Sequence, residues 1–214
     1  STVLTTLQAL QEMSERYLKP RYPYWKPSDR GLIPMRPAEE ELEEGVKEFM
    51  AFWDYLANLP SYSRLENGTE TPELRRFSFE IKPGEGHVLF RPVGQIAFAE
   101  ALGILIYKKG FSLKEVFQKL NKYDVDGGLS GIEFPDSIWY GVLYDFNRKR
   151  MSVASRDLAM RLFIYVLGGV SEKMERGEIC RELAEARRVG EDRAVDFQGK
   201  FVELRKVGLP EILS

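Results

Sequence analysis

The chain has 214 residues, of which 43% are hydrophobic, and its 31 Lys and Arg against 33 Asp and Glu give a formal net charge of −2. The apolar share excludes global disorder, and the balanced charge excludes a surface that is basic throughout. One cysteine and one histidine exclude an intrachain disulfide and a multi-histidine metal site, so we expect a cytoplasmic protein with no metal and no cofactor. The sequence contains no charge-free apolar run of about 18 residues, so we expect no membrane span.

The first predicted element is an amphipathic helix, since apolar residues recur at helical spacing: Val3, Leu4, Leu7, Leu10, Met13 and Leu18. Because the chain opens at Ser1 with this helix almost under way, we expect a fragment of a longer protein. A segment that mixes cations, aromatics and prolines follows, from Lys19 to Lys26. Its aromatics are candidates for stacking on nucleic-acid bases; the alternative is that they pin a loop to the core. They are Tyr22, Tyr24 and Trp25.

Pro37 opens a second predicted helix, and the acidic residues near its start suit the positive end of the helix dipole. Its apolar face comprises Leu42, Val46, Phe49, Met50, Trp53, Leu56 and Ala57. Residues 61–74 are polar and contain Asn67-Gly68, which predicts a loop. The alternation from Arg75 to Lys82 predicts a strand, and the pair Arg75-Arg76 is a candidate for contact with a phosphate backbone.

The central segment predicts both the core and a binding site. A short apolar run from Val88 to Phe90 ends at Arg91, and Pro92 suits the first position of a helix because it has no N–H. The helix at about 92–107 is almost wholly apolar, so we expect it to be buried. Candidates for binding an anion at its N-terminus are Arg91, Gly94 and Gln95. The alternative is that Arg91 pairs with a nearby glutamate and Gln95 caps the helix.

The rest of the chain is predicted to be mostly helical. Ser112 and Glu115 form a capping box at the start of one helix. Residues 139–144 are apolar and favour neither strand nor helix. Another buried helix is predicted at 158–167. A basic cluster is a further candidate for phosphate contacts: Arg148, Lys149 and Arg150. We therefore predict a mainly α fold, a single helical domain over 1–214 around helix 92–107, with at most a small β element and a charged helical C-terminal extension at 171–214.

One pattern favours an enzyme instead. Glu80-Ile81-Lys82 is similar to the second half of a metal-dependent nuclease signature, in which a carboxylate holds a divalent cation and the lysine steadies the nucleophile. The upstream acid would be Glu66, Glu70 or Glu73. A nuclease or nucleotide hydrolase that uses Glu80, Lys82 and Arg91 is therefore an alternative. His87 is expected to be a structural residue at a strand edge; the alternative is that it assists a site at the neighbouring Arg91.

The stretch His87-Val-Leu-Phe-Arg-Pro-Val-Gly-Gln-Ile-Ala-Phe-Ala-Glu-Ala resembles the Leu-Phe-Arg-Pro-Ile-Gly-Gln region of DGQHR-domain, DndB-like proteins. Residues 138–143, Met151 and the helix at 158–168 resemble the C-terminal half of the same proteins, and residues 2–10 are compatible with their linker helix. The DGQHR signature itself, which lies upstream in the family, is absent from this chain, so no catalytic residue is carried over.

The resemblance implies a non-catalytic helical module of a bacterial protein of DNA modification, its transcriptional regulation or antiphage defence. Such a module would bind DNA or a partner protein, with Arg91, Gln95 and the basic cluster at 148–150 as contacts. A further alternative is an oligomerisation or assembly module, in which the charged C-terminal helices bind a partner or a second copy of the chain.

Overall fold

The computed structural model describes residues 4–23, 37–76, 85–145, 148, 150–152, 155–188 and 209–213. These residues form a mainly helical fold with one two-stranded antiparallel sheet, as the sequence predicts. The helices are α1 (Leu7–Leu18), α2 (Glu39–Ala57), α3 (Pro60–Glu66), α4 (Thr71–Leu74), α5 (Pro92–Tyr107), α6 (Leu113–Val125), α7 (Arg156–Val166) and α8 (Lys173–Ala186). The strands are β1 (Tyr144–Asp145) and β2 (Arg150–Met151), and a 3-10 turn at Val88–Phe90 precedes α5.

Helix α5 is the buried centre of the fold, which confirms the prediction from its apolar sequence. Pro92 occupies its first position, and α1 and α7 pack against it. The Phe98 ring lies 6.1 Å from that of Phe52 in α2, 6.0 Å from that of Phe117 in α6 and 5.1 Å from that of Phe163 in α7, measured between centroids. One aromatic side chain of α5 therefore joins three other helices.

Helices α1 and α5 approach each other closely at Gly103. A β-carbon at this position would lie 2.3 Å from the carbonyl oxygen of Tyr17 in α1, so only glycine allows the two backbones this separation. Ion pairs support the same contact, because Arg16 of α1 lies 3.1 Å from Glu100 of α5. Glu12 of α1 also lies 2.6 Å from Arg156 of α7.

The capping box of α6 is confirmed. The Ser112 hydroxyl accepts from the backbone N–H of Glu115 at 3.2 Å, and the backbone N–H of Ser112 donates to the Glu115 carboxylate at 2.9 Å. The Ser112 hydroxyl also donates to the Glu115 carboxylate at 2.6 Å. This hydrogen bond first, and then the one from the Ser112 N–H, hold the pKa of Glu115 below its ordinary value. The local sequence was sufficient here, because both partners lie within one helical turn.

The predicted loop at 61–74 is wrong, because α3 and α4 lie in this region. Pro60 and Pro72 stand in the first turns of these helices, where a missing N–H costs no hydrogen bond. Tyr62 and Leu74 are buried, so tertiary packing stabilises helices that the polar local sequence does not predict.

The strand predicted from Arg75 to Lys82 lies mostly outside the described residues. Arg75 itself is the C-cap of α4. His87 has a structural role: its ring accepts a hydrogen bond from the backbone N–H of Leu89 and thereby caps the 3-10 turn. Residues 139–143 form turns, and Tyr144 begins β1.

The described parts of the C-terminal extension pack on α7. Helix α8 buries Ile179 and Leu183 and contacts α7. Residues 209–213 lie against the same helix, since the backbone N–H of Leu213 donates to the Val166 carbonyl at 2.9 Å. In the described part of the chain, no helix combines the length and the hydropathy needed to cross a bilayer.

Candidate functional site

The start of α5, the anion site predicted from sequence, is packed against the preceding turn. Arg91 is the N-cap residue, and Gly94 and Gln95 in the first turn are buried. A β-carbon on Gly94 would lie 2.1 Å from the Val88 carbonyl oxygen. The 3-10 turn therefore covers this part of the helix, which leaves Gly94 and Gln95 no exposed surface for a ligand from solution.

Gln95 takes part in an internal chain of hydrogen bonds. Its Nε2 donates to the Tyr62 hydroxyl at 3.3 Å, and that hydroxyl donates to the Leu89 carbonyl at 2.9 Å. Burial raises the pKa of Tyr62 well above its ordinary value, so the phenol remains a neutral donor. Gln95 thus connects α5 to α3 and to the 3-10 turn.

Arg75 and Arg91 donate to backbone carbonyls. The Nε of Arg75 donates to the carbonyl of Phe90, and its Nη2 donates to the carbonyl of Leu4 at 2.9 Å. The Nη2 of Arg91 donates to the carbonyl of Arg75 at 2.9 Å. Burial lowers the pKa of both guanidinium groups, and for Arg91 the neighbouring Arg75 charge adds to this effect. These two cations therefore hold together chain segments that precede α1, follow α4 and begin α5.

Arg91 also anchors the β1–β2 hairpin. Its Nη1 lies 3.8 Å from the Met151 sulfur, and its guanidinium carbon lies 5.8 Å from the centroid of the Tyr144 ring. The hairpin carries Arg150 and Arg148, both exposed, and Arg148 Nε lies 3.7 Å from the Asp145 carboxylate. Arg91 thus contacts both the hairpin that carries Arg148 and Arg150 and the segment that carries Arg76, which is exposed and follows Arg75.

Of the remaining candidate site residues, one lies in the core and the others lie outside the described residues. Tyr22 is buried, and its hydroxyl donates to the Glu44 carboxylate at 3.4 Å; this fits the interpretation of an aromatic that pins its segment to the core. Tyr24, Trp25 and Lys149 lie outside the described residues, as do Glu80 and Lys82 of the nuclease-like pattern. Among the described residues, no three His, Cys, Asp or Glu side chains are grouped so as to hold a metal ion.

A buried polar cluster that sequence reasoning missed lies beside the start of α5. Asp124, near the end of α6, accepts from the Ser61 N–H at 2.8 Å, from the Ser61 hydroxyl at 2.7 Å and from His87 Nε2 at 2.9 Å. All three residues are buried. Burial acts to raise the pKa of Asp124, but the hydrogen bonds from His87 and then from Ser61 outweigh it and hold this pKa below its ordinary value.

This Ser61–Asp124–His87 cluster is not arranged as a nucleophilic triad. His87 Nδ1 accepts from the Leu89 N–H at 3.1 Å, which assigns the ring hydrogen to Nε2, and Nε2 donates to Asp124. The histidine therefore has no lone pair directed at the Ser61 hydroxyl, and a base that can take the serine proton is required for nucleophilic catalysis. The cluster fastens α3, α6 and the 3-10 turn to one another.

An apolar groove of about 360 Å³ lies between α1 and α2. We call it the α1–α2 groove. Three of its large apolar side chains are exposed: Leu7 by 83%, Met50 by 59% and Val46 by 57%. The groove is lined by Leu7, Leu10, Gln11, Ser14, Leu18, Leu42, Gly45, Val46, Phe49 and Met50.

The groove exists because the apolar face of α2 is wider than the core it covers. Phe52 and Leu56 point into the core and are buried, whereas Val46 and Met50, one helical turn apart, lie on the outer edge of the same face. The sequence predicted one continuous apolar face. It contained no signal that separates the covered half from the open half, because that division depends on where α1 lies.

Comparison with protein-family models, with curated proteins and with solved structures finds no match to this chain. The fold and its surfaces define a mainly helical domain, with a polar cluster closed inside it and an apolar groove open on it.

Proposed function

We propose that this chain is a non-catalytic helical module that binds a partner protein in the α1–α2 groove. The observation that carries the proposal is the set of three exposed apolar side chains in one concave surface. The larger protein would be of the DGQHR type that the sequence resembles, active in bacterial DNA modification, its regulation or defence. That assignment is supported by the resemblance alone, whereas the binding surface is supported by the geometry.

The energetic argument rests on exposed apolar area. Burying one Val, Leu or Met side chain contributes about 1.5–3 kcal/mol, so a partner that covers Leu7, Val46 and Met50 gains several kcal/mol from these contacts alone. Contiguous exposed apolar surface at a groove is typical of interaction sites. Arg75, Arg91 and Gln95 at the start of α5 present less binding surface, because Gln95 is buried and both guanidinium groups donate to backbone carbonyls of the chain.

A photo-cross-linking amino acid placed at Met50 should capture a specific protein in the native host. The same amino acid at Val125, which is 60% exposed at the end of α6, is the matched control. We expect one product that depends on position 50, because only that side chain lies in the groove. The captured protein is then purified, and its affinity for the chain is measured by calorimetry.

The double variant Val46→Gln and Met50→Gln removes the apolar contacts and keeps good helix formers. We expect it to weaken binding of the purified partner about tenfold or more, with an unchanged thermal midpoint because both side chains are exposed. Equal cross-linking from Val125, or equal affinity of the double variant, would contradict the proposal.

DNA binding is a second candidate, favoured by three exposed arginines, Arg76, Arg148 and Arg150, on the two segments that Arg91 contacts at the start of α5. Each cation that neutralises a phosphate adds about 0.9 to the slope of log affinity against log salt. The triple alanine variant at these positions should therefore reduce that slope by up to about 3, measured by fluorescence anisotropy on duplex DNA. A matched triple variant on exposed cations elsewhere, Lys114, Lys122 and Lys173, should leave it unchanged; equal slopes for wild type and the first variant would exclude this candidate.

A further inference from the structure

We infer that the segment which occupies the α1–α2 groove is an amphipathic helix whose apolar anchors are flanked by Lys and Arg. This inference rests on the proposed function, and it adds the shape and the charge of the partner. A helix is inferred from the dimensions of the groove, and basic flanks are inferred from the charges along its edge.

The groove lies between two helices and is long enough for two turns of a third. On α2 its lining runs from Leu42 to Met50, and eight residues at 1.5 Å per residue span about 12 Å. An amphipathic helix that binds in a groove inserts anchors spaced at i, i+3 or i+4, and i+7, which cover about the same length. The exposed apolar side chains on both walls would contact these anchors.

Acidic residues border the apolar floor of the groove. Helix α2 carries one cation, Lys47, against seven carboxylates: Glu39, Glu40, Glu41, Glu43, Glu44, Glu48 and Asp54. Two of the seven are already bonded within the chain, since Glu44 accepts from Tyr22 and Glu48 accepts from Tyr107. Glu43 is three residues before Val46 and Asp54 is four residues after Met50, so both lie on the exposed edge of the groove. Lys47, three residues before Met50, lies between them on the same edge, which leaves two carboxylates against one cation there. On α1, Glu15 is exposed and follows the lining residue Gln11 by one turn.

This charge distribution favours one class of ligand for the groove over the others. Basic residues beside the anchors would face carboxylates on both helices, and the attraction would favour association and correct orientation. An acidic or neutral helix lacks that attraction. A nucleic acid would bring phosphates next to the acidic edge and has no apolar anchors for the floor. The basic amphipathic helix is therefore the occupant that fits both the floor and the edge.

The test uses two synthetic peptides of about 18 residues, long enough to sustain helical structure. Both have Leu at i, i+4 and i+7; one has Lys and Arg at the flanking positions, and the other has Glu at the same positions. We expect the basic peptide to bind the full chain about tenfold more tightly in about 50 mM salt, and the difference to disappear near 500 mM, because salt screens exposed charges. Binding is followed by fluorescence anisotropy.

Paired substitutions test where the basic peptide binds and which carboxylates set its preference. Val46→Gln with Met50→Gln should abolish binding of the basic peptide. Glu43→Lys with Asp54→Lys should reverse the preference between the peptides, whereas Asp126→Lys with Glu185→Lys, exposed acids away from the groove, should leave it unchanged.

The other outcomes overturn the inference in distinguishable ways. Equal binding of both peptides in the groove would remove the charge argument and leave the proposed function intact. Binding of neither peptide would overturn the helical basic occupant, and the cross-link from position 50 would still report on the proposed function. Concentration-dependent light scattering that the Val46→Gln and Met50→Gln variant abolishes would show that a second copy of the chain occupies the groove.

Discussion

Replacing Asp124 with alanine should lower the free energy of unfolding by about 3 to 5 kcal/mol. The carboxylate accepts three hydrogen bonds, two from Ser61 and one from His87. Its removal leaves three buried donors without an acceptor, and each such group costs about 1–3 kcal/mol. The loss should appear in urea titrations followed by circular dichroism, as a lower midpoint with an unchanged slope.

Asp126→Ala is the matched control, because this aspartate is exposed two residues further along the chain. It should change the urea midpoint little. Asp124→Asn should fall between alanine and wild type, since one amide oxygen still accepts from His87 and Ser61 while the amide nitrogen opposes the Ser61 N–H. A loss below about 1 kcal/mol for Asp124→Ala would show that the cluster is not important for stability.

The difference in free energy of unfolding between wild type and Asp124→Ala should depend on pH with a defined sign. The pKa of Asp124 in the folded protein lies below its ordinary value of 3.8, so between the two values the unfolded chain binds more protons than the folded one. The stabilisation is therefore complete above the ordinary value and is lost as the pH falls through the lowered folded value. The gap between wild type and Asp124→Ala should be constant near neutral pH and should shrink only in strong acid.

Gly103→Ala should destabilise the fold by about 2 kcal/mol or more, although alanine is the better helix former by about 1 kcal/mol. The new β-carbon would lie 2.3 Å from the Tyr17 carbonyl oxygen. This oxygen belongs to the α1 backbone and cannot rotate away as a side chain can, so α1 must move off α5. The displacement would also disturb the Arg16–Glu100 ion pair.

Gly177→Ala is the control with the opposite sign. Gly177 lies inside α8, and a β-carbon there would meet no atom within 4 Å. Only the gain in helix propensity remains, so we expect a stabilisation of up to about 1 kcal/mol. Thermal unfolding of the two variants should move in opposite directions; a shift of the same sign in both would refute the close approach of α1 and α5.

The distribution of polar contacts explains why the residues singled out in the sequence differ from those that form the open surface. Arg75, Arg91 and Gln95 bond to Phe90, Leu4, Arg75 and Tyr62, which makes them internal connectors. A half-buried guanidinium that donates to backbone carbonyls stabilises the fold by satisfying their hydrogen-bonding capacity. The groove, in contrast, is formed mostly by residues that the sequence places on the apolar faces of α1 and α2.

Patterns within one or two helical turns were enough to predict the mainly α class, the buried helix α5, the proline at its first position and the capping box of α6. The causes of these features are local, because they depend on apolar periodicity or on partners three residues apart. The contacts of Arg91 and Gln95, the meeting of Ser61 with His87 and Asp124, and the open half of the α2 face depend on segments that are tens of residues apart in sequence. A side chain's spacing shows which way it points along its own helix, but its partner is set by how the other helices pack around α5.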